Sequence, residues 1–118
     1  KSKFINDKFY SETKAKSLIQ RGSSINKIRN YLISKGIGQK YIKNTIQEIK
    51  DSNEDQDFFS AIKLCKKKRI GPSRTEDNRP LFYKKDIGVL ARSGFDFEVS
   101  RRVMDLEKDE YLKIINLL

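Results

Sequence analysis

Apolar side chains recur along the chain with the spacing of an amphipathic helix, most clearly in residues 27–49. In the first half of this stretch Ile28, Tyr31 and Leu32 stand at i, i+3 and i+4, which is one face of a 3.6-residue period. Gly36 follows where a helix would end, because a left-handed residue costs little without a Cβ. In the second half, apolar residues at i, i+4 and i+7 are Ile42, Ile46 and Ile49. The stretch predicts two helices joined at a glycine-centred turn.

The same pattern returns in residues 83–106. Gly94 takes the place of Gly36, and Leu90 takes the place of Leu32. After a one-residue gap, the spacing of the three isoleucines is repeated by Val99, Val103 and Leu106. Two copies of one supersecondary unit indicate an all-α protein built of tandem repeats.

A further helix in front of each pair completes a three-helix unit. The first unit is predicted at residues 3–50, and its leading helix carries apolar residues at 15, 18 and 19 before Gly22. Ser23 or Ser24 is a suitable N-cap for the next helix, because a serine hydroxyl accepts from an unpaired N–H in the first turn. The second unit is predicted at residues 54–106.

Between the units, residues 51–57 are polar and acidic and predict a linker, with Ser52 or Asn53 as the N-cap of the following helix. Pro80 suits the first position of a later helix, where no N–H is needed. Asp96 is the predicted N-cap of the last repeat helix. Residues 107–118 are too apolar for a free tail and predict a final helix that packs onto the second unit or makes a self-association contact.

The charge content changes this picture from a compact domain to a slender one. Charged residues make up 36% of the 118 residues, above the globular average of roughly 25%. The core is therefore thin, and an elongated stack is favoured over a globule with a deep catalytic pocket. The net charge of +10 suits polyanionic partners such as nucleic acid, an acidic protein face or an anionic membrane. No apolar run is long enough to span a bilayer, and we expect a preceding N-terminal part in the whole protein.

Lysines and arginines concentrate in residues 63–69, where five cations fall within seven residues. Such a cluster fits electrostatic docking on phosphates or acidic surfaces. It also fits a solvated helix end, where cations complement the dipole. The predicted docking residues are Lys66, Lys67, Lys68, Arg69, Arg74, Arg79, Arg92, Arg101 and Arg102, with a second patch formed by Lys35, Lys40 and Lys43.

Two helices around a glycine also resemble a DNA-reading helix–turn–helix, whose second helix presents polar side chains to base edges. The exposed positions differ between the copies, since Lys43-Asn44 corresponds to Ser100-Arg101, so the unit is better interpreted as a building block. Aromatic side chains off the apolar stripes, and therefore predicted to be exposed, are Tyr10, Tyr41 and Phe97.

Enzyme chemistry has little support in the sequence. There is no histidine, so a Ser-His or Cys-His nucleophile pair is excluded. The single cysteine, Cys65, lies on an apolar stripe and predicts a buried structural thiol in a reducing cytoplasm. One cysteine without histidines gives too few ligands for a structural zinc. We expect neither an enzyme nor a cofactor.

The phrase Ile28…Leu32…Lys35-Gly36-Ile37…Ile42…Ile46 resembles the core repeat of the RecX family of regulatory proteins. Residues 66–72 and residues 86–103 resemble the third-repeat region of alphaproteobacterial members, so that the resemblance covers about residues 8–106. The resemblance implies three tandem three-helix repeats, of which this chain holds the second and third.

The resemblance also implies a cytoplasmic, non-enzymatic negative modulator of the RecA recombinase. Such proteins bind in the groove of the RecA–DNA filament and limit filament growth, strand exchange and ATP hydrolysis, and with them the SOS response. A monomer acting on the filament is expected. Two alternatives stay open from the residues alone: a basic module that binds single- or double-stranded DNA directly, and a purely structural adaptor.

Overall fold

The computed structural model describes residues 6–118, which contain seven α-helices and no strand. The helices are α1 (Asp7–Gln20), α2 (Ile25–Ser34), α3 (Gln39–Ser52), α4 (Gln56–Lys68), α5 (Tyr83–Arg92), α6 (Phe97–Met104) and α7 (Lys108–Leu117), with a short 3-10 helix at Gly71–Ser73. The predicted all-α fold is confirmed, and the molecule is elongated at 53 × 25 × 20 Å. Residues 3–5 of the predicted first unit lie outside the described residues.

The two glycine-centred turns have the same hydrogen bonds. Gly36 and Gly94 have φ angles of 76° and 97°, in the left-handed region that favours glycine. The N–H of the following residue donates back to a leucine carbonyl in each case, Ile37 to Leu32 and Phe95 to Leu90, both at 3.2 Å. This is the six-to-one bond of a Schellman ending, and it shows that the repeat seen in the sequence is a repeat of backbone geometry.

The predicted N-caps of α2 and α6 are confirmed. The Ser24 hydroxyl accepts from the N–H of Lys27 at 3.0 Å, and the Asp96 carboxylate accepts from the N–H of Val99 at 2.8 Å. Each cap satisfies an N–H that the helix itself leaves without a partner.

Apolar side chains collect in two clusters, one from α1–α3 and one from α4–α7. Ile28 and Leu32 are fully buried in the first cluster, and Ile62 and Leu90 are fully buried in the second. Within each cluster the first helix packs chiefly on the third, α1 on α3 and α4 on α6. Helix α7 joins the second cluster through the buried ring of Tyr111.

Polar contacts join the two groups of helices at the start of α2. The Ser24 hydroxyl donates to the carbonyl of Ser93 at 2.9 Å, and the N–H of Ile25 donates to the Asp57 carboxylate at 2.8 Å. A Cβ on Gly94 would strike the Ser24 hydroxyl, so the second turn lies directly against the first helix pair. These directional bonds fix how the two helix groups are oriented.

The acidic stretch between the groups is shorter than predicted for a linker. Helix α3 continues to Ser52, whose hydroxyl donates to the carbonyl of Glu48 at 2.7 Å, and α4 already begins at Gln56. Neither Ser52 nor Asn53 caps α4, since Ser52 is helical and the Asn53 carboxamide accepts from the N–H of Asp55 at 3.0 Å. The predicted linker at 51–57 therefore reduces to residues 53–55.

The prediction that Pro80 is the first residue of a helix is wrong, because α5 begins at Tyr83. Residues 75–82 form successive turns, with the N–H of Phe82 donating to the carbonyl of Asn78 at 3.2 Å. The Arg79 guanidinium fixes these turns by donating to the carbonyls at the end of α6, those of Met104 and Leu106, at 2.7 and 2.6 Å.

Candidate docking surface

Cations from three helices converge where the two groups of helices meet. We call the first of two adjoining hollows the junction cleft, a volume of about 550 Å³. It lies between the end of α1, the first turn of α2 and the end of α4. Its lining residues are Leu18, Arg21, Gly22, Ser23, Lys27, Leu64, Lys67, Lys68 and Ser93.

The second hollow, which we call the α7 cleft, has a volume of about 620 Å³. Its lining residues are Gln20, Arg21, Lys63, Lys66, Lys67, Ile115 and Leu118. Successive helical residues point about 100° apart. Lys66 therefore faces the α7 cleft, Lys68 faces the junction cleft, and Lys67 between them lines both.

The charges of these clefts are not neutralised by neighbouring side chains. Across residues 6–118, none of the six cations that line them takes part in an ion pair; they are Arg21, Lys27, Lys63, Lys66, Lys67 and Lys68. Cations held close together without acidic partners create a positive potential that attracts anions.

Arg74, a predicted docking residue, is turned into the second helix group. Its guanidinium donates to both carboxylate oxygens of Asp86 at 2.7 and 2.9 Å, and the N–H of Gly71 donates to the same carboxylate at 2.8 Å. Asp86 is completely buried. Burial acts to raise its pKa, but the bonds from Arg74 and Gly71 outweigh that effect and hold the pKa below its ordinary value. Arg74 therefore anchors the segment after α4.

Arg79 is also used internally, through its bonds to the end of α6 and a contact with Glu76 at 3.2 Å. Its side chain is only 14% exposed. Arg74 and Arg79 stood closest in sequence to the lysine cluster, but the fold commits both to holding residues 71–82.

The arginines of α6 have acidic or aromatic neighbours. Arg101 lies 3.8 Å from Asp105, and Arg102 lies 3.3 Å from Asp55 and stacks on the Phe58 ring at 4.3 Å. Arg69 and Arg92 are exposed, but neither lines the two clefts.

The second predicted patch lies elsewhere in the first helix group. Lys35 sits 5.5 Å from the centre of the Tyr31 ring, and Lys40 lines a hollow that is also lined by Glu12 and Glu48. Lys43 is exposed on α3. The structure therefore does not bring this patch together with the lysines of α4.

Of the aromatics predicted to be exposed, Phe97 is confirmed at 66% exposure. Tyr10 and Tyr41 are half-buried against the first cluster, so that prediction is wrong for both. Their rings lie on the edge of the apolar stripes, where a helical pattern does not distinguish contact from exposure.

Arg21 and Lys27 were missed by the sequence analysis. They are far from residues 63–69 in the chain, and the fold brings them close through Gly22. A Cβ built on Gly22 would lie 3.2 Å from the Ser60 carbonyl oxygen and 3.2 Å from the Lys63 Cβ. This glycine therefore lets the end of α1 approach α4. The only feature of the sequence that could have indicated this contact is a cation, Arg21, directly before the glycine at a helix end.

A third hollow at the same joint is acidic, with a volume of about 850 Å³. Its ionisable lining residues are Arg29, Lys50, Asp51, Glu54, Asp57 and Asp96. Burial raises the pKa of Asp57, the bond from Ile25 opposes this, and the nearby Asp96 adds to the rise. The acidic residues are thus grouped apart from the two cationic clefts.

Cys65 is fully buried, as predicted. Burial, assisted by the charge of Asp86, raises the pKa of its thiol to about 12. The thiolate that a nucleophile or a metal ligand requires is therefore not formed at neutral pH. In the part of the chain that is described, no cluster of His, Cys, Asp or Glu has the arrangement of a metal site. None of the described helices is both long and apolar enough to cross a membrane.

Comparison with known proteins gave no matching family model and no matching solved structure. Three curated relatives match, each named regulatory protein RecX. The Myxococcus xanthus protein is 33% identical over 106 residues, covering 86% of this chain and 54% of the relative. The Agrobacterium fabrum protein is 25% identical over 114 residues, covering 97% and 59%, and the Clostridioides difficile protein is 33% identical over 88 residues, covering 73% and 39%.

The chain spans about half the length of these relatives. The first two matches run across nearly all of it, so they include both glycine-centred turns and the α4 lysines. This agrees with the resemblance seen in the repeated helical phrase. The chain belongs to the RecX family of regulatory proteins.

Proposed function

We propose that the chain is a negative modulator of a RecA recombinase and docks on the RecA–DNA filament through the junction cleft. The observation that carries the proposal is the group of un-neutralised cations at the joint of an elongated stack, above all Arg21, Lys27, Lys67 and Lys68. A filament on DNA offers phosphates and acidic protein groups along one groove. The docked stack limits filament growth, strand exchange and ATP hydrolysis by occupying that groove.

The affinity in this proposal comes from many weak contacts held on one frame. An exposed ion pair contributes about 0.2–1 kcal/mol, so no single lysine suffices. Hydrogen bonds from Ser24 to Ser93 and from Ile25 to Asp57 hold the two helix groups together, and a body 53 Å long would reach neighbouring subunits. Simultaneous contacts on a rigid frame gain effective concentration. The exposed Arg69 and Arg92 and the patch at Lys35, Lys40 and Lys43 add longer-range attraction. The chain acts as a monomer in the cytoplasm.

The test is the ATPase activity of RecA on single-stranded DNA, measured with substoichiometric amounts of this chain. We expect hydrolysis to slow. Lys68→Glu should weaken the inhibition, because Lys68 lines the junction cleft. Lys84→Glu is the control, since Lys84 is an exposed lysine on α5 that lines neither cleft and is not part of the proposed docking set. Unchanged hydrolysis at every ratio of folded chain to RecA contradicts the proposal, and equal effects of the two variants remove the junction cleft from it.

Direct binding to DNA is the second candidate, favoured by the same cleft, where Ser23 accompanies four cations. Such binding would weaken steeply with salt, with a log–log slope of about −0.9 for each phosphate neutralised. Titration of bare DNA at several salt concentrations measures this slope. Weak binding to bare DNA beside strong binding to the filament rejects the second candidate.

A further inference from the structure

The α7 cleft differs from the junction cleft in having an apolar side. Ile115 and Leu118 line it together with the cations, and no aspartate or glutamate side chain does. Leu118 is 51% exposed, and next to it Leu117 is 86% exposed. The cleft therefore combines a cationic side with an aliphatic side.

We propose that the α7 cleft is a docking site for an acidic peptide segment of a protein partner, one that carries leucine-like side chains between its carboxylates. The carboxylates pair with the cationic rim formed by Lys63, Lys66 and Lys67, and an apolar side chain covers Ile115 and Leu118. Charge complementarity selects the acidic segment, and the apolar side selects its leucines.

Nucleic acid fits this cleft less well than a peptide. Phosphate and sugar offer nothing to cover aliphatic side chains, and the aromatic platform on which single-stranded bases stack is absent from the lining residues. An anionic membrane also fits less well, because the first turn of α7 carries Asp109 and Glu110. These carboxylates would be repelled by the surface that the leucines would enter.

The last turn of α4 provides a matched pair of variants. Lys66 and Lys68 are exposed lysines in the same helix turn, so their effects on the helix dipole are alike. Lys66 lines only the α7 cleft, and Lys68 lines only the junction cleft. Leu118 provides an apolar variant, since it is exposed and is not among the residues packed in the second cluster.

The experiment measures binding of a fluorescent peptide that alternates glutamate pairs with single leucines. Comparison probes are the same peptide with serine in place of leucine, oligothymidylate, and vesicles of phosphatidylcholine with phosphatidylserine. We expect the leucine peptide to bind, and Lys66→Glu and Leu118→Ser each to weaken it about two- to fivefold. Lys68→Glu should leave it unchanged. Circular dichroism of each variant confirms that the helices are retained.

Equal binding of the serine peptide overturns the inference, as does a loss with Lys68→Glu equal to that with Lys66→Glu. Oligothymidylate or vesicles that bind more tightly than the peptide, and that respond to Leu118→Ser, reassign the cleft to nucleic acid or to membrane. The result is independent of the recombinase proposal, because that proposal is tested by Lys68→Glu in the ATPase assay and this one by Lys66→Glu with the peptide.

Discussion

Replacing Asp86 with alanine removes the acceptor of three hydrogen bonds beneath residues 71–74. The buried N–H of Gly71 loses its partner, which costs about 1–3 kcal/mol. The Arg74 side chain, 18% exposed, loses both of its bonds to the carboxylate. Breaking a buried pair in this way destabilises a protein by about 3–5 kcal/mol. At roughly 4 °C per kcal/mol for a domain of this size, the melting temperature should fall by about 12–20 °C.

Arg74→Ala tests the same pair from the other side. It leaves a buried carboxylate with only the N–H of Gly71, so we expect a comparable loss at neutral pH. In the parent chain the folded-state pKa of Asp86 lies below its unfolded value of about 3.9, so its contribution is present above that pH and lost as pH falls through the folded pKa. The deficit of Arg74→Ala should therefore shrink below about pH 4.

Urea unfolding followed by circular dichroism measures these differences, and the double variant Arg74→Ala/Asp86→Ala should lose less than the sum of the single variants. Lys84→Ala, an exposed change in the same helix as Asp86, is the control and should stay within about 0.5 kcal/mol. A loss below about 1 kcal/mol for Arg74→Ala, together with weaker inhibition of RecA, would refute the structural role and return Arg74 to the docking set.

Three further predictions concern the core and the joint. A thiol reagent should modify Cys65 no faster than the chain unfolds, because burial keeps the thiol protonated; rapid labelling of the native chain would contradict this. Asp57→Asn keeps an acceptor for the N–H of Ile25 and removes a charge that the folded state disfavours. This substitution should raise the free energy of unfolding at pH 7. At about pH 3, where Asp57 is protonated in both the folded and the unfolded state, the free energy of unfolding should be unchanged. Urea titrations that show a lower free energy of unfolding at pH 7 would disprove this prediction. Gly94→Ala should destabilise by about 1–3 kcal/mol through its positive φ and the clash with the Ser24 hydroxyl, and thermal melts should show that Ser24→Ala relieves part of that loss.

The helices and their endings were predictable because they depend on local physics. Isoleucines at every third or fourth position form one apolar face of a helix, which must be buried. A glycine after the last turn adopts the left-handed conformation, which lets the following N–H groups donate to the last helical carbonyls. Both signals occur within a few residues. Pro80 shows the limit of such reasoning, since the tertiary bonds of Arg79 hold its segment in turns although proline suits a helix start.

The candidate docking surface was predictable only in part. The run at residues 66–68 identified the cationic end of α4, but a linear run does not tell which neighbours each lysine meets. Arg21 enters the surface because Gly22 permits a close approach between distant helices. Arg74 is not part of this surface because its side chain pairs with Asp86. Asp86 is buried by tertiary contacts, although Lys84 and Lys85 in the same helix turn are exposed. Neither the approach of α1 to α4 nor the pairing of Arg74 with Asp86 can be recognised from residues that are close in sequence.

The joint between the two helix groups relies on hydrogen bonds and not on a shared apolar core. The hydrophobic effect is non-directional, whereas an N–H···O bond such as that from Ile25 to Asp57 weakens steeply when its angle changes. The two groups are therefore held at one relative position, and a stack docked on a filament in the proposed way would act as a gauge of subunit spacing. A helical partner with the matching step would be contacted at both groups, and a stretched or compressed one at only one of them. Such a gauge would distinguish states of a partner that expose identical residues.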